Sequence, residues 1–74
     1  MNIHIEYCIK WNYGPEFDRV SKIIKKNSNA IVKGNKSHPR SGAFEVSIND
    51  KLVYSKLQTN SFPSDKIILE LLNS

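Results

Sequence analysis

A chain of 74 residues with a net charge of +4 has room for one domain with a small hydrophobic core. Its single cysteine excludes an intramolecular disulfide, and the two histidines, His4 and His38, lie too far apart in sequence to form a cluster of metal ligands. No apolar run is long enough to cross a membrane, and no charged and then apolar leader opens the chain. We therefore expect one soluble domain of a reducing compartment, the cytoplasm, with no metal and no required cofactor.

The first predicted element is a strand that ends at the only cysteine. Apolar and polar side chains alternate over residues 3–7, and Cys8 follows. A helix is expected to begin at Gly14-Pro15, because proline lacks only an N–H that the first helical turn does not use. A lone thiol is thus placed in the loop between a strand and a helix, where thioredoxin-type folds carry their redox cysteines.

The middle of the chain supplies a helix and three further strands. Apolar residues recur at helical spacing over residues 17–24, and the polar segment 27–29 ends this helix. Residues 30–32 form a short β-branched strand, which we expect to lie parallel to the first strand because a helix connects them. Residues 44–54 then predict a hairpin that turns at Asn49-Asp50.

The end of the chain adds a last helix. Residues 56–61 are expected to be a polar connection, after which Ser64 caps a helix with apolar side chains on one face. The order is then β-α-β-β-β-α. Polar residues alternate with the apolar ones on the strands, which predicts one solvated sheet face at His4, Glu6, Glu45 and Ser47. The expected fold is a two-layer α/β domain, with a four-stranded mixed sheet and both helices on one face.

Cys8 is the first candidate for function, and two interpretations are open. A thiolate near helix N–H groups and Lys10 is more acidic and more reactive than a free thiol. Alternatively, Cys8 is a small buried hydrophobic residue at the end of a core strand. Trp11 and Tyr13 either form an aromatic wall beside the thiol or cap the core with their polar tips in water. Neither histidine has a spacing that predicts a Cys-His pair.

The densest basic group lies in and around the loop between the second and third strands. It comprises Lys33, Lys36, His38 and Arg40. Basic loops beside an open sheet occur in RNA-binding modules, but those modules also carry exposed aromatic residues on their strands. The outward strand positions here are glutamate and serine, so a nucleic-acid partner is disfavoured and a solvated surface is the simpler interpretation.

Three segments carry a resemblance to a known family. They are Ile5-Glu6-Tyr7-Cys8, Ser41-Gly42-Ala43-Phe44-Glu45-Val46 and Lys51-Leu52-Val53-Tyr54-Ser55-Lys56. They resemble the selenoprotein W family of thioredoxin-like proteins, in which a Tyr-Cys-x-x-Cys or Tyr-Cys-x-x-selenocysteine motif follows the first strand. The resemblance covers nearly the whole chain, and the order of elements agrees with it.

The resemblance implies a small redox protein linked to glutathione and to thiol–disulfide exchange with partner proteins. Cys8 matches the first cysteine of the motif, whereas Trp11 stands at the position of the second cysteine or selenocysteine. The resemblance also places Ser41 and Gly42 on the opposite side of the pocket, with Lys10, Trp11 and Tyr13 around the thiol. A single-thiol redox protein is therefore expected. The alternatives are a redox-inactive protein-binding module of the same fold and, less favoured, a nucleic-acid-binding domain.

Overall fold

A computed structural model describes residues 1–35 and 37–73, and this part of the chain contains four strands and three helices. The strands are β1 (Asn2–Tyr7), β2 (Ile31–Lys33), β3 (Phe44–Ile48) and β4 (Lys51–Ser55), and the helices are α1 (Gly14–Asn27), α2 (Lys56–Thr59) and α3 (Asp65–Leu72). Every strand that the sequence predicts is present. Both long helices are present too, with ends within about two residues of those expected, as is usual for helix boundaries.

The four strands form one mixed sheet in the order β2-β1-β3-β4. Strand β1 runs parallel to β2 and antiparallel to β3, and β3 pairs antiparallel with β4. The β3–β4 turn places Asn49 and Asp50 at φ of 49° and 69°. Two consecutive positive φ values are the mark of a type I′ hairpin turn, which asparagine and aspartate tolerate. The predicted hairpin and the predicted parallel pair are both confirmed.

The core lies between the sheet and the two longer helices. Its buried members are Ile3, Ile5, Val20, Ile24, Phe44, Val46 and Ile68. They come from β1 and β3 on one side and from α1 and α3 on the other, so α1 and α3 share one face of the sheet. Ser64 is the N-cap of α3, because its side-chain oxygen accepts a hydrogen bond from the Ile67 N–H at 3.2 Å. The expected two-layer arrangement is confirmed.

The connection after β4 differs from the prediction. It contains the short helix α2, whose N-cap is Ser55, and the Ser55 hydroxyl accepts a hydrogen bond from the Gln58 N–H. The Glu45 carboxylate lies against the start of this helix and accepts hydrogen bonds from the Ser55 hydroxyl and from the Lys56 N–H. Glu45 is therefore only 4% exposed, whereas the alternation pattern had placed it on a solvated face. A buried carboxylate is tolerated here because it is fully hydrogen-bonded.

The helices within residues 1–35 and 37–73 are short, and none of them has the length together with the apolar character that a membrane-spanning helix needs.

Candidate functional site

The site predicted from the sequence is built on a short loop that connects β1 to α1. The Cys8 N–H donates to the Ala43 carbonyl at 2.9 Å, which extends the pairing of β1 with β3 by one residue. The Cys8 carbonyl accepts from the Tyr13 N–H at 3.1 Å, and Tyr13 is the N-cap of α1. Between them, the Asn12 N–H donates to the Ile9 carbonyl at 3.0 Å. Backbone hydrogen bonds thus fix Cys8 to both the sheet and the start of the helix.

The Cys8 thiol is free but buried. The residue is 2% exposed and makes no disulfide. It is one of the buried hydrophobic residues that form the core. A buried thiol reacts only when the structure around it opens, because the attacking thiolate needs access to its target. Any chemistry at Cys8 therefore depends on movement of the segments that cover it.

The three residues that follow Cys8 are all exposed. Ile9 is 60% exposed and Trp11 is 57% exposed, and Lys10 between them also lies at the surface. The loop therefore presents two large apolar side chains to solvent only two positions apart.

Trp11 and Gly42 meet across the mouth of this loop. A Cβ atom built at residue 42 would lie 3.5 Å from the Cζ3 atom of the Trp11 indole, which is ordinary van der Waals contact. Gly42 is buried and has a φ of +75°, in the left-handed region that favours glycine. Its neighbour Ser41 is exposed. Gly42 thus lies against the Trp11 side of the loop, while Ser41 faces solvent.

A row of aromatic rings continues from Trp11 into the core. Trp11 meets Tyr13 edge-on at 6.3 Å between ring centroids, Tyr13 meets Phe62 at 4.8 Å, and Phe62 meets Phe44 at 5.3 Å. The Lys56 Nζ lies 5.4 Å from the Tyr13 ring centroid and 5.2 Å from that of Phe62. Such cation–π contacts fix a lysine over an aromatic surface. Lys56 is thus the cation that the structure places beside this row, and sequence reasoning did not identify it.

A second group that the sequence did not predict is an ion-pair network beside the loop. Arg40 donates to both carboxylate oxygens of Glu6, from Nε at 3.1 Å and from Nη2 at 2.9 Å. Its Nη2 also lies 3.6 Å from the Glu45 carboxylate. The side-chain hydrogen bond from Arg40 lowers the pKa of Glu6 below its usual value, although partial burial opposes that shift. The spacing of 34 residues between Glu6 and Arg40 gave no local signal for this pair.

The basic loop and the histidines lie on the sheet face opposite the core. A shallow cleft of about 280 Å³ is lined by His4, Glu6, Asn35, Ser37, His38 and Arg40. Among the residues that the structure describes, the buried His4 Nε2 finds no hydrogen-bond partner, and Arg40 is engaged by carboxylates. Lys36 of the predicted basic group lies outside the described residues. Across residues 1–35 and 37–73, no group of three or more histidine, cysteine or acidic side chains is placed to hold a metal ion.

The predicted site residues are therefore only partly brought together. Cys8, Trp11, Tyr13 and Gly42 lie along one loop and the segment that faces it. Lys10 and Ser41 are on the surface. The role of each in chemistry or binding stays a prediction.

Comparisons with known proteins relate the whole chain to one family. A sequence profile of the Rdx family matches residues 2–74. The thioredoxin reductase-like selenoprotein T homolog of Drosophila melanogaster is 47% identical over 34 residues, which are 46% of this chain and 17% of that protein. Migration and invasion enhancer 1 of Mus musculus is 29% identical over 72 residues, which are 97% of this chain and 62% of that protein. The chain thus spans less than two thirds of the length of either relative.

Two crystal structures share the fold. A selenoprotein W-related protein of Vibrio cholerae superposes with a TM-score of 0.76 at 21% identity, over 97% of this chain and 91% of that one. A protein of Bordetella parapertussis gives a TM-score of 0.79 at 14% identity, over 97% and 92% of the two chains. The expected similarity to selenoprotein W-like structures is confirmed for the fold.

Proposed function

Since this chain belongs to the Rdx family, we propose that it is a single-thiol redox protein in which Cys8 forms mixed disulfides with glutathione or with partner proteins. The observation that supports this most directly is the position of Cys8. It lies between the end of β1 and the N-cap of α1, and backbone hydrogen bonds hold it to Ala43 and to Tyr13. This is where the sequence carries the first cysteine of the motif that selenoprotein W-like proteins share.

The reaction that we propose begins with loss of the Cys8 thiol proton to solvent. The Cys8 thiolate then attacks one sulfur of oxidised glutathione, a new S–S bond forms as the old one breaks, and the departing glutathione thiolate takes up a proton. The protein sulfur is oxidised and one glutathione is reduced. Trp11 offers no second thiol, so a thiol from another molecule must attack the mixed disulfide to release Cys8.

Access to the thiol is the step that the protein controls in this proposal. Because Cys8 is buried, the segments around it must move before a disulfide can approach. Ile9 and Trp11 are exposed on the loop that follows Cys8, so a partner that contacts them is in a position to shift this loop. Glutathione added without such a partner must wait for the structure around Cys8 to open by itself.

The test is the mass of the protein after incubation with oxidised glutathione over a series of pH values. We expect one glutathione adduct per chain on the native protein, formed more slowly than on the urea-unfolded protein because the Cys8 thiol is buried. The Cys8→Ser variant must give no adduct. Reaction of the native protein only after unfolding would contradict the proposal.

A second function is favoured by one specific observation. The only thiol is 2% exposed, whereas the nearby Ile9 and Trp11 are among the most exposed large apolar residues of the described chain. Such a surface binds a partner protein without any bond to sulfur. In that case a partner captured on immobilised protein is also retained by Cys8→Ser and is lost with Trp11→Ala. Release by a thiol reductant alone, and failure of Cys8→Ser to capture, would favour the redox function instead.

A further inference from the structure

The contact between Glu6 and Arg40 joins the end of β1 to the segment that faces Cys8. Besides the two side-chain hydrogen bonds, the Arg40 backbone N–H donates to the Glu6 carboxylate at 2.7 Å. A carboxylate that accepts from a backbone N–H and from a guanidinium forms charge-assisted bonds, which are shorter and stronger than neutral ones. Glu6 therefore holds both the side chain and the backbone of residue 40.

A continuous series of backbone contacts leads from Arg40 to the thiol. The Arg40 carbonyl accepts from the Ala43 N–H at 3.2 Å, and the Ala43 carbonyl accepts from the Cys8 N–H at 2.9 Å. Gly42 lies inside this turn, against the Trp11 ring. Displacement of residue 40 therefore moves the segment that pairs with Cys8 and that contacts Trp11.

We propose that the Glu6–Arg40 pair is a clasp that keeps residues 40–43 closed against Cys8 and Trp11, and so sets how often the thiol becomes accessible. The clasp rests on the proposed function, because it regulates entry to the same thiol. Glu6 and Arg40 touch no reacting atom and are positioning residues. Arg40 is 62% exposed at its side chain, so it can leave the carboxylate without disturbing the core.

The charges that face the pair come from several elements. His4 on β1 lies near Glu6, Glu45 on β3 lies near Arg40, and His38 lines the same cleft. Protonation of Glu6 removes the charge of the carboxylate that holds residue 40. The clasp is therefore expected to loosen only in acid.

The first experiment measures the rate at which iodoacetamide alkylates Cys8 in the native protein, divided by the rate in urea. The thiolate sulfur attacks the methylene carbon and iodide leaves, so each event is one carboxamidomethyl adduct by mass. We expect Arg40→Gln and Glu6→Gln each to raise the normalised rate about fivefold, which corresponds to loss of a partly exposed ion pair worth about 1 kcal/mol. Arg40→Lys keeps the charge but loses the paired donors, so its rate should lie between wild type and Arg40→Gln.

The chain contains a matched control. Arg19 also pairs with carboxylates, Glu16 and Asp65, and donates to the Pro63 carbonyl, but it joins α1 to the start of α3. Arg19→Gln removes an arginine network of similar size away from residues 40–43. We expect this variant to leave the normalised alkylation rate within about twofold of wild type, because the loss of this ion pair should not change access to Cys8. Equal acceleration in this variant would assign the effect to general destabilisation and overturn the clasp.

A second measurement uses Trp11, the single tryptophan of the chain, and does not depend on thiol chemistry. Acrylamide quenching of its fluorescence should increase in Arg40→Gln and in Glu6→Gln, but not in Arg19→Gln. In wild type, quenching should also increase as the pH falls below the lowered pKa of Glu6, under conditions where the protein is still folded. The Glu6→Gln variant should lack this step. Unchanged quenching in both clasp variants would overturn the inference, even if the variants prove less stable than wild type.

The two experiments separate failure of the clasp from failure of the proposed function. If the variants speed up alkylation and quenching but no glutathione adduct forms, the clasp stands and the redox proposal fails. If Cys8 accepts glutathione at the same rate in the wild-type protein and in both clasp variants, the redox proposal stands and the clasp is wrong.

Discussion

Trp11 packs directly on Gly42, so the residue at the second position of the family's cysteine motif contacts the segment opposite it rather than a second sulfur. A Cβ atom at residue 42 would still lie at ordinary contact distance, 3.5 Å, from the indole ring, so space alone does not require a glycine here. The backbone does favour one, because other residues adopt a φ of +75° only at a cost.

We predict that Gly42→Ala destabilises the protein by about 1 kcal/mol, mainly because alanine is strained at positive φ. The added methyl group alone should cost little, since it would meet Trp11 at ordinary contact distance. Urea unfolding followed by Trp11 fluorescence measures the change. Gly14→Ala is the comparison, because Gly14 lies at the start of α1 and, its chain neighbours and the helix's own backbone aside, no described atom lies within 4 Å of an added Cβ. Alanine there should cost less than at residue 42, although Pro15 disfavours helical backbone in a preceding residue that carries a Cβ. Equal losses at both glycines would contradict this account of residue 42.

The second prediction concerns stability in acid. The pKa of Glu6 in the folded protein is held below its ordinary value of 4.5, chiefly by the side-chain hydrogen bond from Arg40. Near and below 4.5 the unfolded chain therefore binds more protons at this residue than the folded chain does. The stabilisation from Glu6 is fully present above 4.5 and is lost as the pH falls through the lowered pKa.

Glu6→Gln should therefore be less stable than wild type at neutral pH, and the difference should shrink as the pH falls below 4.5. Urea unfolding at a series of pH values measures this convergence. Glu70→Gln serves as the control, because Glu70 is exposed in α3, and its difference from wild type should show no comparable narrowing. A constant gap between Glu6→Gln and wild type across the acid range would show that the ion pair is not the cause.

The third prediction tests the buried carboxylate at the start of α2. Glu45 accepts hydrogen bonds from the Ser55 hydroxyl and from the N–H groups of Lys56 and Leu57. Glu45→Ala leaves these donors without their acceptor and should lower the free energy of unfolding by about 2–3 kcal/mol. Glu70→Ala, on an exposed helix surface, should change it by less than about 0.5 kcal/mol. A small effect at residue 45 would mean that water replaces the carboxylate at the start of α2.

The alternation of apolar residues was sufficient to predict the sheet and the two long helices. The strands of residues 2–7 and 44–48 keep a strict period of two, and the helices keep a period near 3.6, because each buries one face in the same core. The Asn49-Asp50 turn was predictable for a different reason, namely that few residues tolerate two positive φ values in succession.

Helix α2 and the ion pairs could not be predicted in the same way. Four residues are too few to show a helical period, and the first N–H groups of α2 find their acceptor on Glu45, eleven residues before Lys56. The Glu6–Arg40 pair likewise joins residues that only the folded sheet brings together. For the same reason the pattern marked Glu45 as solvated. The alternation pattern indicates on which side of the strand Glu45 lies, but not that α2 packs against that side.

The last prediction restores the missing position of the family motif. The Trp11→Cys variant carries a Cys-x-x-Cys motif that starts at Cys8, in a loop that already turns back on itself, since the Asn12 N–H donates to the Ile9 carbonyl. We expect this variant to form an intramolecular disulfide with mild oxidant, detected as the loss of two hydrogen atoms in mass and of reactivity towards iodoacetamide. With a resolving thiol present, a glutathione adduct on Cys8 should be released without any second molecule. The double variant Cys8→Ser, Trp11→Cys is the control and should accumulate a glutathione adduct instead. If the single variant also accumulates it, residue 11 does not reach the Cys8 sulfur, and the loop would have a different role here from the one the motif implies.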